Sequence, residues 1–113
     1  MRRDDFYLAS FPFGDSAAAK LRPVLLLSGA LGSVPEVLVA YISSVIPNTL
    51  LPTDIVLDPA TTGFSSTHLK TKSVLRLHKL ATIHASALVR RLGIVSSQSS
   101  AEVRAKLRTL LGL

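Results

Sequence analysis

The chain contains no cysteine. This excludes disulfides, thiolate metal sites and a cysteine nucleophile, and it suits a reducing cytoplasm. There is no tryptophan either, and an aromatic content of 5% leaves few platforms on which nucleic-acid bases could stack. No apolar run approaches the roughly 18 residues that span a bilayer. Met1-Arg2-Arg3-Asp4-Asp5 is not followed by the apolar core of a signal peptide. The reading is a cytoplasmic protein without a membrane partner. Acidic residues are almost missing from the second half. Residues 1–67 carry four Lys/Arg against six Asp/Glu, a balance of −2, whereas residues 68–113 carry nine against one, a balance of +8. A basic half of this kind predicts a polyanion or an acidic protein as partner; the alternative is a charge pattern that serves solubility alone.

The 113 residues, 48% of them apolar, suit a single domain spanning 1–113 with a real core. Short apolar segments alternate with turn residues such as Gly29, Gly32-Ser33, Pro47-Asn48, Asp58-Pro59 and Gly63. That rhythm predicts a mainly β fold, a barrel or a sandwich. The expected strands are Asp5–Ser10, Arg22–Ser28, Glu36–Ser43, Thr53–Leu57, Ser73–Leu77 and Arg91–Ser96, with a short one near Ala81–His84. Ser65–Lys72 could form one helical turn. At the C-terminus, Ser99 with Glu102 has the spacing of a capping box. Val103, Leu107, Leu110 and Leu111 follow at helical spacing, which predicts a terminal helix over Ser99–Leu111 packed on the sheet. The apolar content exceeds what a barrel this small can bury, so a second subunit is expected to cover part of it.

Two segments carry the chemistry. In Phe11–Ser28, a loop of small residues from Gly14 to Ala19 leads to Lys20 and Arg22 at the mouth of the apolar strand Val24–Leu27. A fixed guanidinium beside a loop of little bulk can meet a phosphate with two hydrogen bonds; the bland alternative is a solvated Arg on a hairpin. In Ser73–Lys79, strand alternation puts Leu75 and Leu77 on one face and Val74, Arg76 and His78 on the other. An arginine beside a histidine supplies a phosphate clamp and a group able to exchange a proton near neutrality. The alternative is a basic face that binds without reacting. Lys20, Lys70, Lys72 and Lys79 are candidate phosphate contacts, which would position a nucleic acid without reading its sequence. Reading would fall to the Gly14–Ala19 and Pro47–Pro52 segments. His68 and His84 have no supporting neighbours in sequence and read as structural or surface residues, and the three histidines lack metal-ligand spacing.

Phe11–Ser28, Val39-Ala40-Tyr41-Ile42-Ser43-Ser44 and Ser73–His84 together resemble, in the right order, the MazF/PemK-like toxins, the ribonuclease half of bacterial toxin–antitoxin pairs. The resemblance runs from about Asp5 to the C-terminus. It implies an SH3-like barrel, a homodimer and an endoribonuclease that cuts single-stranded RNA, mRNA being the expected class, without metal or other cofactor. It implies a cognate antitoxin protein as inhibitor, with operator DNA reached through the antitoxin complex. In that reading the ribose 2′-OH attacks the adjacent phosphorus, leaving a 2′,3′-cyclic phosphate and a 5′-OH. Arg22 takes the place of the family's Arg-Pro arginine, and Ser43 stands where Thr is usual. Arg76 matches an arginine of the PemK branch, and His78 stands where that branch has an acidic residue proposed as general base.

This sequence departs from the family at several of those positions. Ala81 replaces an arginine, His84 replaces an aspartate, and Asp4 stands where glycine commonly precedes Asp5. These departures leave open a barrel of the same family that binds RNA or antitoxin and no longer cuts; a third reading is the gyrase-inhibitor branch, which shares the fold and acts on a protein target. The Arg22, Ser43, Arg76 pattern follows the ribonuclease branch.

Overall fold

The structure, a computed structural model, describes residues 1–11, 20–60 and 68–113. The Gly14–Ala19 loop and the first part of the expected Ser65–Lys72 turn lie outside the described residues; the described part, His68–Lys72, forms no helical turn. Six strands follow one another: β1 (Asp5–Phe11), β2 (Lys20–Leu26), β3 (Glu36–Ser43), β4 (Asp54–Leu57), β5 (Ser73–His84) and β6 (Leu88–Ile94). A helix, α1 (Ser97–Leu111), closes the chain. The strands form one antiparallel sheet in the order β4-β5-β3-β2-β1-β6, curled into a half-barrel.

The curl follows from apolar residues on both faces of the central strands. Phe6, Leu25, Ala40, Ile42, Leu75 and Leu77 face one cluster, which α1 covers with Val103 and the partly buried Leu107. Val24, Leu26, Val37, Val39 and Ile83 form a second cluster on the other face. Val24–Leu26 of β2 and Val37–Ile42 of β3 read as near-continuous apolar runs because these parts of the strands carry core residues on both faces, as expected for β-branched and leucine-rich central strands.

Four elements differ from the sequence reading by more than a residue. β2 runs Lys20–Leu26, two residues earlier at each end than the expected Arg22–Ser28. Ser73–His84 is one long strand, not two, and it carries an irregularity opposite β3. Ala40 lies across from Leu80 and Tyr41 from Arg76, so Leu77, His78 and Lys79 bulge out of register. A bulge bends its strand and re-aims the side chains in it. Strict alternation therefore fails: Leu77 and Val74 are both fully buried, and His78 and Lys79 are both exposed. The last strand begins at Leu88, because the turn Ala85–Ala87 is capped by His84, whose Nδ1 accepts from the Ser86 amide at 3.0 Å. The helix starts two residues early. Its cap is Ser96, which accepts from the Ser99 amide at 3.2 Å, and Ser99 is the residue capped. At the other end, Gly112 adopts φ +71° and the Leu113 amide bonds back to Arg108, a left-handed helix stop.

Asp4 also has φ +75°, a conformation that favours glycine and that aspartate tolerates better than most residues. Its backbone joins β2 and the start of α1: the amide donates to Leu26 and the carbonyl accepts from Val95, both at 2.9 Å. Its carboxylate accepts from the Ser100 hydroxyl at 2.7 Å inside the first helical turn. The aspartate thus exchanges glycine's conformational ease for a bond that holds the helix. Asp4→Ala loses that bond and meets left-handed strain, and should destabilise the fold by about 2 kcal/mol. The melting temperature should fall by on the order of 10 °C, whereas Asp4→Asn should stay close to wild type; thermal unfolding followed by circular dichroism checks both.

Candidate active site

The sheet opens where its two central strands part. β2 pairs with β3 only from Val24 to Leu26, against Tyr41, Ala40 and Val39. Lys20 to Pro23 bond to β1 alone, and the end of β3 turns to β5, where Ile42 and Ser43 face Leu75 and Val74. Pro23 has no N–H to offer a neighbour on that side, so the separation leaves no unmet donor there. Arg22, exposed, stands at the fork.

A cavity of about 380 Å³ fills the fork. Arg22 comes to it from β2, Tyr41 and Ser43 from β3, and Arg76 and Lys79 from either end of the β5 bulge. The bulge is what brings Arg76 and Lys79 to the same cavity despite their odd spacing. His78, between them, does not line it; its Nδ1 lies 3.9 Å from the Asp54 carboxylate. Ser43 is tied to the turn after β3, accepting from the Val45 amide at 3.1 Å and donating to the Val45 carbonyl at 3.3 Å. Burial holds the Tyr41 hydroxyl above the ordinary phenol range, so at neutral pH it presents an O–H. Of the four lysines expected to contact phosphate, only Lys79 reaches this cavity. Lys70 lines a neighbouring one, and Lys20 and Lys72 are exposed without lining either.

Asp54, the first residue of β4, is a buried partner of Arg76 that sequence reasoning missed. Its carboxylate is fully buried. One oxygen accepts from the Leu51 amide at 2.8 Å. The other lies 2.9 Å from Arg76 Nε. That distance marks an ion pair, yet the N–H is not aligned for a hydrogen bond, so the attraction is one of charge. The Asp54 carbonyl in turn accepts from Lys106 Nζ of α1 at 2.9 Å. The signal in sequence was slight: an acid opening an apolar strand, Asp54-Ile55-Val56-Leu57, in a chain with few acids. Asp5, the other buried aspartate among strand residues, serves the fold, with Arg91 Nε and Nη2 each donating to it at 3.3 Å. Among the described residues, no group of three His, Asp or Glu side chains is placed to hold a metal ion. No helix among them is long and apolar enough to cross a membrane.

A small curled antiparallel sheet with a C-terminal helix and a basic cleft at its fork is the class these features define. Solved structures share the fold over nearly their whole length. The chain is similar to an endoribonuclease in complex with its cognate antitoxin from a mycobacterial species, at 18% identity and a TM-score of 0.73, covering 100% of this chain and 96% of that one. It is similar to the Mycobacterium tuberculosis toxin MazF-mt6 at 21% identity and a TM-score of 0.71, covering 96% and 97%. A chain of the MazE–MazF structure from Deinococcus radiodurans matches at 21% identity and a TM-score of 0.68, covering 100% and 97%. At such identities the likeness is one of fold. No curated protein matches. The family model for the PemK-like, MazF-like toxin of type II toxin–antitoxin systems matches residues 2–111, and the chain belongs to that family.

The ion pair with the buried Asp54 gives Arg76 a structural part. Removing either partner of a buried ion pair leaves the other charge unmet and costs about 3 kcal/mol or more, while removing both costs less than the sum. Asp54→Ala and Arg76→Ala should each lower the urea midpoint, and the double variant should recover part of the loss; a urea-unfolding double-mutant cycle measures the coupling.

Proposed function

We propose that this protein is the toxin of a type II toxin–antitoxin pair and cuts single-stranded RNA at the cavity between β2 and β3. The observation that carries the proposal is the meeting of two guanidiniums, an ammonium and a hydroxyl, those of Arg22, Arg76, Lys79 and Ser43, around one space. A phosphodiester fits that donor set. Attack of the 2′-OH builds negative charge on the phosphorane oxygens, and fixed cations aimed at that charge stabilise the transition state more than the ground state. No metal is needed for that role, because the arginines supply it. Among the described residues no carboxylate pairs with Arg22, so its guanidinium is available to the phosphate. Arg76 is held in place by Asp54 and turns its remaining N–H groups to the same oxygens. Ser43 orients the phosphate or the 2′-OH, at the expense of its weak 3.3 Å bond to Val45. His78, whose Nδ1 lies 3.9 Å from the Asp54 carboxylate, stands outside the lining of that cavity and as base for the 2′-OH would act from its edge; the products are a 2′,3′-cyclic phosphate and a 5′-OH.

The partners follow from charge and exposed apolar surface. An acidic antitoxin segment suits the basic half of the chain, and operator DNA would be reached through that complex. Val45, Leu50, Leu51 and Leu111 are exposed apolar side chains that a second copy would cover in a homodimer. The RNA class would be mRNA, and the compartment the cytoplasm.

Purified protein in EDTA with a long unstructured RNA tests the reading. Discrete cuts with cyclic-phosphate and 5′-OH ends are expected, and Arg22→Ala, whose site is exposed, should fold normally and cut more slowly by on the order of 100- to 1,000-fold. His78→Ala should also slow cutting in the same assay. RNA that is bound in a salt-sensitive way and never cut would instead point to a non-catalytic barrel.

A further inference from the structure

A second cavity, of about 290 Å³, adjoins the first and shares Arg22, Ile42 and Ser44 with it. Arg22, Ser44, His68, Lys70, Arg90 and Leu92 are among its walls, and Arg22 and Ser44 also line the first cavity. The two spaces therefore meet at Arg22. We propose that His68 is the proton donor to the leaving 5′-oxygen, an inference that rests on the ribonuclease reading and completes its chemistry.

Three observations support it. First, an in-line displacement puts the attacking and leaving oxygens on opposite sides of phosphorus. Arg22 lines both the cavity of Arg76 and Lys79 and the cavity of His68, so a phosphate held by it would have one group of side chains for the attacking oxygen and another for the leaving oxygen. Second, the imidazole is already oriented. Its Nδ1 is in close contact with the Leu92 carbonyl of β6. A carbonyl only accepts, so Nδ1 carries a proton and Nε2 is the nitrogen that exchanges one with substrate. Third, His68 holds φ +55°, a left-handed conformation that non-glycine residues adopt at a cost and that clusters at functional sites. The other histidines are differently engaged: His84 caps a turn and His78 meets Asp54. The charged groups around His68 are Arg22 of β2, Lys70 of its own segment, and Arg90 and Arg91 of β6, the last two sharing a third cleft with it. They would gather the chain of phosphates across this face.

The step balances. The 2′-oxygen forms its bond to phosphorus and gives its proton to the base. The P–O5′ bond breaks, and its electron pair goes to O5′, which takes the proton from Nε2 of the His68 imidazolium. The cyclic phosphate keeps a single negative charge, the 5′-OH leaves neutral, and His68 is left as neutral imidazole.

RNA carrying one bridging 5′-sulfur at the cut site provides the test, because a thiolate leaves without a proton. On ordinary RNA, His68→Ala should cut about 100-fold more slowly than wild type, within the range of general acid catalysis. It should bind a 2′-deoxy oligonucleotide as wild type does. On the sulfur-substituted RNA its rate should return to near the wild-type rate. His68→Asn, which accepts the left-handed backbone and keeps a donor but has no proton to transfer, should behave the same way and guards against a folding defect. Ordinary cleavage at the wild-type rate, a defect that persists with sulfur, or a defect that tracks lost binding would each overturn the assignment. Wild-type protein that cuts neither RNA would overturn the ribonuclease reading and this inference together, whereas cutting indifferent to His68 would overturn this inference alone.

Discussion

The carboxylate of Asp54 is buried, and a buried charge must be met by hydrogen bonds or an opposite charge or it unfolds the protein around it. Here it is met from three directions. The Leu51 amide fixes one oxygen, the Arg76 guanidinium lies against the other, and the His78 ring stands at the edge. Lys106 of α1 reaches the carbonyl of the same residue. The helix, the edge strand and the bulged strand are thus joined at one point. The position of Arg76 in the cleft, and through the bulge that of Lys79, is a consequence of that satisfaction. A single hydrophobic core could hold the helix to the sheet, but it would not specify where a guanidinium points.

The second constraint is the parting of β2 and β3. Central strands of a sheet do not separate without leaving amides and carbonyls unmet. The chain manages this with Pro23, which has no amide hydrogen, with Ser43, whose hydroxyl bonds the Val45 backbone, and with β5, which takes over the end of β3. The opening that results is walled by three strands and by residues far apart in sequence. Arg22 at the fork borders both cavities, so one side chain can hold a phosphate while different groups act on its attacking and leaving oxygens.

Much of this was legible in the sequence, and the reasons are local. β1 to β4 could be read because apolar runs of strand length end in Gly, Pro and Asn turns, and the helix because Val103 and Leu107 recur on one face. Arg22 and Arg76 were legible as a pair of phosphate-binding candidates. The bulge was not: nothing between Leu75 and Leu80 breaks the β pattern, and the irregularity arises from the register with β3 and the burial of Leu77, which only pairing reveals. Alternation consequently put His78 where Lys79 stands. The contacts of Asp54 and His68 were not legible because their partners are distant in sequence. The ion pair with Arg76 spans a loop, and the contact of His68 with Leu92 joins β6 to a segment that has no periodicity to read. The helix cap was mistaken by three residues because a run of serines, Ser96 to Ser100 interrupted by Gln98, offers more than one acceptor for the same amides.

A phosphate held between Arg22 and Arg76 is the centre of the proposed reaction. The most direct measurement is an NMR titration of the arginine Nε–Hε signals with a short RNA made uncleavable by a 2′-deoxy sugar at the cut site. The account predicts that the Arg22 and Arg76 signals shift together and saturate at the same RNA concentration. Shifts confined to Arg104 and Arg108 on the helix, with Arg22 and Arg76 unmoved at saturation, would contradict it.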